Sequence, residues 1–341
     1  MFKRILLYFF LTALITGGFF AYKVFGPGTA FNEKSLFVYI RSLNPDKGTV
    51  EQVFSGGNII SNPRLFMWLA GRMDYWNKIK PGKYEIKKGE SLFNIIRMLR
   101  NGRQTPVNLV INKLRTKEDF ARFAGRQLEC DSLSIISFFT SNDSLQKFEL
   151  DSNRVMTAVI PNTYTMFWNT TASKLFKRLF SEQQMFWTDE RKNKAAAIGL
   201  TPAQVYSLAS VIEEETNKND EKPLIASVYL NRLNKGMPLG ADPTIKYALR
   251  DFGIKRILFK HIDESAGSPY NTYRNKGIPP GPICTPSVKS IDAVLNAKKT
   301  DYLFFCAKAD FSGYHAFAAT DKEHYKNAKA YQQALDSLLI K

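Results

Sequence analysis

The chain has 341 residues, of which 44% are hydrophobic and 23% are charged, a composition that is typical of a folded protein and excludes global disorder. Its 48 Lys and Arg residues against 31 Asp and Glu give a net charge of +17, which favours an anionic partner. The basic residues are spread along the chain and form no dense block, which argues against nucleic acid as that partner. Three cysteines without a CxxC pair and three histidines without HExxH spacing argue against a disulfide framework and a metal site, so we expect no metal.

The N-terminus carries an uncharged apolar run over residues 5–22. As a helix this run would reach about 27 Å, close to the thickness of the hydrocarbon core of a bilayer. Lys3 and Arg4 precede the run, and positive residues favour the cytoplasmic side of a membrane. We therefore predict a transmembrane anchor over residues 1–25, with the N-terminus in the cytoplasm and the rest of the chain outside.

A cleaved signal peptide is the alternative for this segment, since residues 28–30 form a small-x-small cleavage site. The apolar run is longer than the apolar part of a usual signal peptide, and Lys23 lies between the run and that site. Both features favour a retained single-pass anchor.

Residues 26–108 have the pattern of a small α/β module. Ser91 is a good N-cap and Gly102 a good C-terminal residue for one helix. The turn, strand, glycine turn and helix pattern of residues 80–102 resembles a LysM-like module, a fold associated with binding amino-sugar polymers. A generic α/β linker domain is the alternative. Amphipathic helices are predicted at residues 50–60, 62–73 and 91–102.

A third region, residues 109–341, begins next to a predicted strand at residues 107–111. A helical segment is expected at about residues 115–155, with helices at residues 116–128 and 132–148. We expect an ordered loop from Ile160 that leads into a helix near Thr171, within a core of about residues 155–341. The fold class predicted for the chain is therefore α+β.

The segment from Thr201 to Thr216 has a clear helix start. Thr201 is an N-cap residue, Pro202 suits the first helical position, and Gln204 completes a capping box. At about 100° per residue, Val205, Leu208, Ala209, Val211 and Ile212 form one apolar face.

Three consecutive glutamates end this helix, and helical phase makes them inequivalent. Glu214 falls opposite the apolar face and is predicted to be solvated. Glu213 falls at the edge, where its carboxylate is a candidate for hydrogen bonds across a boundary. Glu215 falls on the apolar face, where burial and the negative end of the helix dipole raise a carboxyl pKa.

A carboxyl group that stays protonated near neutral pH is a candidate general acid, which makes Glu215 the candidate catalytic residue. The alternative is a structural ion pair between Glu215 and a lysine or arginine, for example Arg232.

The motifs that follow resemble the YceG-like family of endolytic murein transglycosylases, most strongly from about residue 155 onward. The resemblance depends on their order: a Glu-x-Glu-Thr helix end at 213–216, Asn-Arg-Leu at 231–233, Asp-Pro-Thr at 242–244, Tyr-Asn-Thr-Tyr at 270–273, and Gly-Ile-Pro-Pro-Gly-Pro-Ile at 277–283. The chain departs from the family pattern at Asn162, Gly240, Ala241 and Cys284.

This resemblance implies a mixed helix-and-hairpin catalytic domain with a lysozyme-like glutamate helix. It implies that Glu215, the second glutamate of Glu-x-Glu-Thr, is the catalytic acid/base. The implied reaction cleaves the β-1,4 bond between N-acetylmuramic acid and N-acetylglucosamine in nascent peptidoglycan strands. It leaves 1,6-anhydro-muramoyl ends, needs no cofactor and ends glycan polymerisation.

Several further residues are candidates for supporting this site or binding its substrate. Tyr270 and Tyr273 offer flat faces to sugar rings, and Asn271 suits an acetamido group, unless their loop simply packs on the core. Asp242 is expected to order its loop by turn hydrogen bonds. His315 is expected to be structural. The full set is Glu213, Asn231, Asp242, Thr244, Tyr270, Asn271 and Tyr273.

The resemblance implies peptidoglycan strands as the substrate, with peptidoglycan synthases of the penicillin-binding class as candidate partners. It implies a bacterial inner membrane location, with the catalytic domain on the periplasmic side. Two alternatives stay open from the sequence: a muramidase that uses water, and a non-catalytic scaffold that binds the cell wall.

Overall fold

A computed structural model describes residues 2–339, with side chains up to Ser337. The predicted outer boundaries, residues 1 and 341, lie outside the described residues. The chain divides into two compact units. The first contains residues up to 109, 125–130 and 165–171, and the second contains the rest of the described chain. The three-part division predicted from the sequence, with boundaries after residues 25 and 108, stays a prediction.

The first unit begins with α1 (Phe2–Phe25), whose side chains are exposed almost throughout. It is long and apolar enough to cross a membrane, as the sequence predicts. Only near its C-terminal end does α1 pack against other elements of the unit, where Val24 is buried.

The rest of the first unit packs helices against an antiparallel strand pair. β1 (Ser35–Ile40) pairs with β2 (Gly82–Lys87), and the helices are α2 (Lys47–Gly56), α3 (Pro63–Arg72) and α4 (Leu92–Asn101). Helices are confirmed at the three predicted positions, although α2 ends at Gly56 and not at residue 60 as predicted. The predicted ends of α4 are also confirmed: Ser91 accepts from Asn94 N–H, and Gly102 adopts the left-handed conformation with φ of 68°. The LysM-like assignment stays a prediction.

Two further short strands form a two-stranded sheet of their own. β3 (Val107–Val110) confirms the predicted strand, and it pairs with β4 (Thr163–Met166). The sequence predicts a loop where β4 lies, because β4 is defined by a partner more than fifty residues away and not by a local pattern. The predicted helix near Thr171 is confirmed as α8 (Ala172–Phe186).

The second unit is mainly helical with one β-hairpin. The predicted helix at residues 132–148 is interrupted at Ser141, whose side chain caps a new helix by accepting from Ser144 N–H. The other elements are α5 (Lys117–Gly125), α6 (Ser132–Thr140), α7 (Asn142–Gln146), a 3₁₀ turn (Val155–Ala158), α9 (Asp189–Ala197), α10 (Pro202–Glu215), α11 (Lys222–Asn234), α12 (Asp242–Leu249), α13 (Phe259–Glu264), α14 (Val288–Leu295), β5 (Phe304–Ala307), β6 (His315–Ala318) and α15 (Asp321–Leu339).

At the centre of the second unit lies α10, packed by α11, α12 and α14. The predicted capping box of Thr201 and Gln204 is present, and the predicted apolar face is buried. Its opposite face is also covered, because Ser207 and Ser210 are buried and Ser210 Oγ accepts a 2.9 Å hydrogen bond from Ile283 N–H. The sequence predicts that face to be wet, which is wrong, since small hydroxyl residues let a neighbouring loop approach the helix closely.

Candidate active site

The three glutamates that end α10 face three different environments. Glu214 lies 3.2 Å from Lys113 Nζ and 3.1 Å from Arg115 Nη2, and its side chain is only 15% exposed. The prediction that Glu214 is solvated is therefore wrong. The segment that carries Lys113 and Arg115 covers this side of the helix, so Glu214 is a partly buried ion-pair residue.

Glu213 is held in a network between α10, α11 and the start of α14. Its Oε2 accepts from Lys222 Nζ at 2.9 Å, from Ser287 Oγ at 2.6 Å and from Ser290 Oγ. Burial alone would raise the pKa of Glu213, but these hydrogen bonds outweigh burial and hold the pKa below its ordinary value. Glu213 is therefore an ionised carboxylate that joins elements beside the site.

Glu215, the last residue of α10, faces Tyr229 of α11. The Tyr229 hydroxyl donates a 2.6 Å hydrogen bond to Glu215 Oε1. Burial raises the pKa of Glu215 to about 7, and this outweighs the opposing effect of the Tyr229 hydrogen bond; the negative charge of Asp242 adds to the rise. A carboxyl group in this state can both give and take a proton near neutral pH.

The alternative of an ion pair between Glu215 and Arg232 is not what the structure shows. The Arg232 guanidinium donates to the carbonyls of Leu303 and Leu239, each at 2.6 Å. Among the described residues, no lysine or arginine nitrogen forms an ion pair with Glu215. Glu215 is thus supported by a neutral hydroxyl, because burial also raises the pKa of Tyr229 well above its ordinary value.

Glu215 lies in the wall of a polar cavity of about 260 Å³. Two other predicted site residues, Asp242 and Tyr273, line the same cavity, and the Tyr273 hydroxyl donates to Asp242 Oδ1 at 2.5 Å. Asp242 was expected to order a loop; instead it begins α12 and bonds a cavity tyrosine. The lining residues are Glu215, Tyr229, Arg232, Leu239, Gly240, Asp242, Tyr273, Phe305, Cys306, Ala307 and His315.

Two predicted residues from the 270–273 segment lie away from the cavity lining. Asn271 is fully buried, where its amide donates to Ile262 O and its Oδ1 accepts from Tyr273 N–H. Asn271 therefore shapes the loop that presents Tyr273 and does not offer its amide to a substrate. The Tyr270 ring packs 4.7 Å from Tyr247, which fits the alternative of a loop packed on the core.

Asn231 and Thr244 also have structural partners and do not line the cavity. The Asn231 amide donates to Thr300 O at 2.7 Å and Tyr302 O at 2.9 Å, which fixes the approach to β5. Thr244 is fully buried and lies 2.8 Å from the Thr272 hydroxyl. Both residues therefore position neighbouring segments of the cavity wall without facing the cavity themselves.

The β5–β6 hairpin forms part of the cavity wall, and most of its lining residues were not predicted from the sequence. The register pairs Ala307 with His315, so both strands reach the cavity. Glu221 fixes His315 twice, accepting from its backbone N–H at 2.7 Å and lying 3.0 Å from its Nδ1. The structural role expected for His315 is present, but His315 lines the cavity as well. No local pattern reveals this, since the contact with Glu221 spans more than ninety residues.

The family model that describes the YceG-like family matches residues 45–330 of the chain. The match includes the Glu-x-Glu-Thr helix end and every residue that lines the cavity. The chain therefore belongs to the YceG-like family.

Two curated relatives carry the name endolytic murein transglycosylase. The protein from Bacillus subtilis is 39% identical over 157 residues, which cover 46% of this chain and 41% of the relative. The protein from Streptococcus pneumoniae strain D39 is 26% identical over an alignment that covers 93% of this chain and 63% of the relative. The chain thus spans less than two thirds of the length of either relative.

A solved structure shares the fold. The crystal structure of a YceG-like protein from Listeria monocytogenes superposes with a TM-score of 0.56 at 23% sequence identity, and the match covers 86% of this chain and 99% of that one. The chain therefore shares its fold with that structure.

Proposed function

We propose that this protein is a membrane-anchored endolytic murein transglycosylase that cleaves the β-1,4 bond between N-acetylmuramic acid and N-acetylglucosamine in peptidoglycan. The names of the two relatives support the reaction class. The observation that carries the proposal is Glu215: its carboxyl group lies in a polar cavity, forms no ion pair with any residue that the structure describes, and has a pKa that burial raises to about 7.

In the proposed reaction, protonated Glu215 donates its proton to the glycosidic oxygen as the bond to C1 breaks. The C6 hydroxyl oxygen of the same muramoyl residue then attacks C1, and ionised Glu215 takes the hydroxyl proton. The products are a 1,6-anhydro-muramoyl end and a new free hydroxyl, and Glu215 regains its proton. The Tyr229 hydroxyl keeps its hydrogen bond to Glu215 Oε1 during both steps, and this bond stabilises the ionised carboxylate that exists between them.

One carboxyl group suffices because the attacking hydroxyl belongs to the substrate. Glycosidases that use water or a covalent intermediate need two carboxyl groups with separate tasks. An oriented intramolecular nucleophile has an effective molarity on the order of 10⁵ M or more, which replaces activation by a second residue.

A hydrolytic muramidase is the second candidate, and Asp242 is the observation that favours it. Asp242 is the other carboxylate among the described residues that line the cavity, so the site has the two carboxyl groups that a hydrolase needs. In the transglycosylase, Asp242 would have a structural role, because it accepts a hydrogen bond from Tyr273 and so fixes that residue in the cavity wall.

We further propose that α1 anchors the chain in the bacterial inner membrane, with Lys3 and Arg4 on the cytoplasmic side and the Glu215 cavity on the periplasmic side. An anchored enzyme acts on strands that are still close to the membrane. It would therefore end glycan polymerisation beside a peptidoglycan synthase, with the LysM-like region as an additional contact to the glycan.

The test is mass analysis of purified peptidoglycan after incubation with the detergent-solubilised full chain. The proposal expects new internal cuts whose muramoyl ends are lighter by one water than hydrolytic ends. Glu215→Gln removes the acid and should abolish cutting, whereas Glu214→Gln, the same change one residue earlier, should keep most of it. Free reducing muramic acid ends would establish the muramidase instead. Cutting by Glu215→Gln at the native rate would overturn the assignment of Glu215.

A further inference from the structure

The face of the first unit beside α1 carries aromatic rings and arginines. On α3, Arg64, Trp68 and Arg72 follow each other at four-residue spacing and therefore lie along one side of the helix. On α4, Phe93 and Arg97 have the same spacing. Trp68 is 48% exposed, which is unusual for the largest side chain. We refer to these five residues as the collar.

The collar contacts the C-terminal part of α1. The Trp68 ring lies 5.7 Å from the ring of Phe20, and the Phe93 ring lies 5.2 Å from that of Phe25. Val24, between these contacts, is only 3% exposed. Since a helix rises about 1.5 Å per residue, the contacts span about 7 Å along α1. The C-terminal end of α1 is thus packed against α3 and α4 and is not a flexible linker.

The charged residues of the three helices that form this surface are all basic. Neither α1, α3 nor α4 contains an Asp or Glu. The Arg72 guanidinium lies 5.5 Å from the Trp68 ring centre, and that of Arg97 lies 5.7 Å from the Phe93 ring centre. In the part of the chain that the structure describes, the arginines of the collar form no ion pair, so their charges are available to an anionic partner.

We propose that the collar lies in the headgroup layer on the periplasmic face of the membrane and binds anionic phospholipid headgroups through Arg64, Arg72 and Arg97. The inference rests on the proposed anchoring by α1. If residues 5–22 span the hydrocarbon core, Phe20 lies just inside its outer boundary. Its partner Trp68 then lies at the depth where tryptophan is enriched in membrane proteins.

The chemistry of the surface favours lipid over another protein. Arginine stems lie along apolar surface while their guanidinium groups reach the phosphates, and each such contact to an anionic membrane is favourable. Placement at the interface also accounts for the exposure of Trp68. The consequence is that the first unit is held at a fixed height and orientation on the membrane.

The experiment uses the full chain reconstituted in phosphatidylcholine vesicles. One variant keeps only Trp68, with the other three tryptophans changed to Phe; a matched control keeps only Trp187, which is buried in the core of the second unit. Acyl chains brominated near the headgroup should lower the Trp68 emission about twofold, because bromine quenches at contact, and should leave the Trp187 emission unchanged. Carbonate extraction of the same vesicles reports separately whether α1 is inserted.

A second arm tests the charge. Adding phosphatidylglycerol at about one lipid in three should strengthen the quenching of Trp68, and Arg64→Gln/Arg72→Gln/Arg97→Gln should remove that increase. If the chain resists carbonate but Trp68 is unquenched, the collar proposal is overturned while the anchor stands. If the chain is extracted by carbonate, both fail. If phosphatidylglycerol has no effect, the binding of anionic headgroups is overturned.

Discussion

The Tyr229 hydroxyl donates a 2.6 Å hydrogen bond to Glu215 Oε1, and this contact joins the last residue of α10 to the middle of α11. Two opposing effects meet at this carboxyl group. Burial favours the protonated form, and the hydrogen bond from Tyr229 favours the ionised form. Their balance leaves the pKa of Glu215 at about 7, where neither proton donation nor proton acceptance is strongly disfavoured.

Tyr229→Phe should move the alkaline limb of the pH–rate profile to higher pH. The hydroxyl stabilises ionised Glu215, so its removal raises the pKa of Glu215 further. The rate at neutral pH should also fall by up to about tenfold, the value of one lost hydrogen bond to the carboxylate. The measurement is kcat/KM for glycan cleavage across the pH range.

Tyr206→Phe is the matched control, because Tyr206 is equally buried and its hydroxyl donates to Val159 O, away from the cavity. It should lower stability without moving the pH–rate profile. A Tyr229→Phe profile that coincides with the native one, or shifts to lower pH, would contradict the role given to this hydrogen bond.

Glu215→Gln should make the protein more stable at alkaline pH. The ordinary pKa of the group is 4.5, and the folded value is about 7. Between these values the folded state keeps a proton that the unfolded state has lost, so the native protein loses stability as pH rises through this window. Gln has no charge to bury and avoids this loss, which amounts to a few kcal/mol at most.

Thermal unfolding at about pH 5 and about pH 8.5 tests this linkage. The Gln variant should match the native protein at the lower pH and unfold at a higher temperature at the upper pH. Glu214→Gln, which removes an ion-paired carboxylate, should show no such gain. Equal pH dependence of Glu215→Gln and the native protein would show that the pKa of Glu215 is not raised.

Local sequence rules were sufficient for much of the helix that carries the site. The capping box at Thr201 fixes where α10 begins, and helical phase then places Glu215 on a different side from Glu214. The same rules wrongly predict that Glu214 is solvated, because a helical wheel describes one helix and not the segments that pack against it. The segment with Lys113 and Arg115 is about a hundred residues away in sequence.

Residue type alone was a poor guide to which side chains face the cavity. Asn271 and Thr244 have the chemistry of sugar-binding residues, yet each is buried because it satisfies loop backbone or another hydroxyl. The hairpin residues Phe305 and His315 reach the cavity only through strand register and packing on α11. These are long-range relationships, and a single sequence carries no local signal of them.

Asp242→Asn should separate the two candidate reactions. In the transglycosylase, the Asn side chain still accepts from Tyr273, so the rate should fall less than about tenfold and the products should keep their anhydro ends. Because the charge of Asp242 raises the pKa of Glu215, its removal should also shift the alkaline limb to lower pH.

The comparison for this variant is Glu215→Gln in the same assay. A loss as complete as that of Glu215→Gln, on the order of a hundredfold or more, would mean that Asp242 is a second catalytic carboxylate. The muramidase would then be the better description of the site. Tyr273→Phe serves as a control, since it removes the hydrogen bond that Asp242→Asn keeps and leaves the charge of Asp242 in place.

Glu213→Gln should destabilise the fold without acting on the chemistry directly. Lys222 is 3% exposed, and its Nζ contacts Glu213 at 2.9 Å, so the change leaves a buried ammonium without its counter-charge. Breaking a buried pair in this way costs about 3–5 kcal/mol. The free energy of unfolding in urea at neutral pH measures the effect.

The pH dependence of this loss has a definite sign. The folded pKa of Glu213 lies below its ordinary value of 4.5, so its stabilisation is present above that value and disappears as pH falls through the folded pKa. The difference between Glu213→Gln and the native protein should therefore be largest near neutral pH and shrink in acid. Glu213→Gln/Lys222→Met removes both charges and should recover part of the stability. A single variant within about 0.5 kcal/mol of the native protein would mean that solvent already screens Lys222.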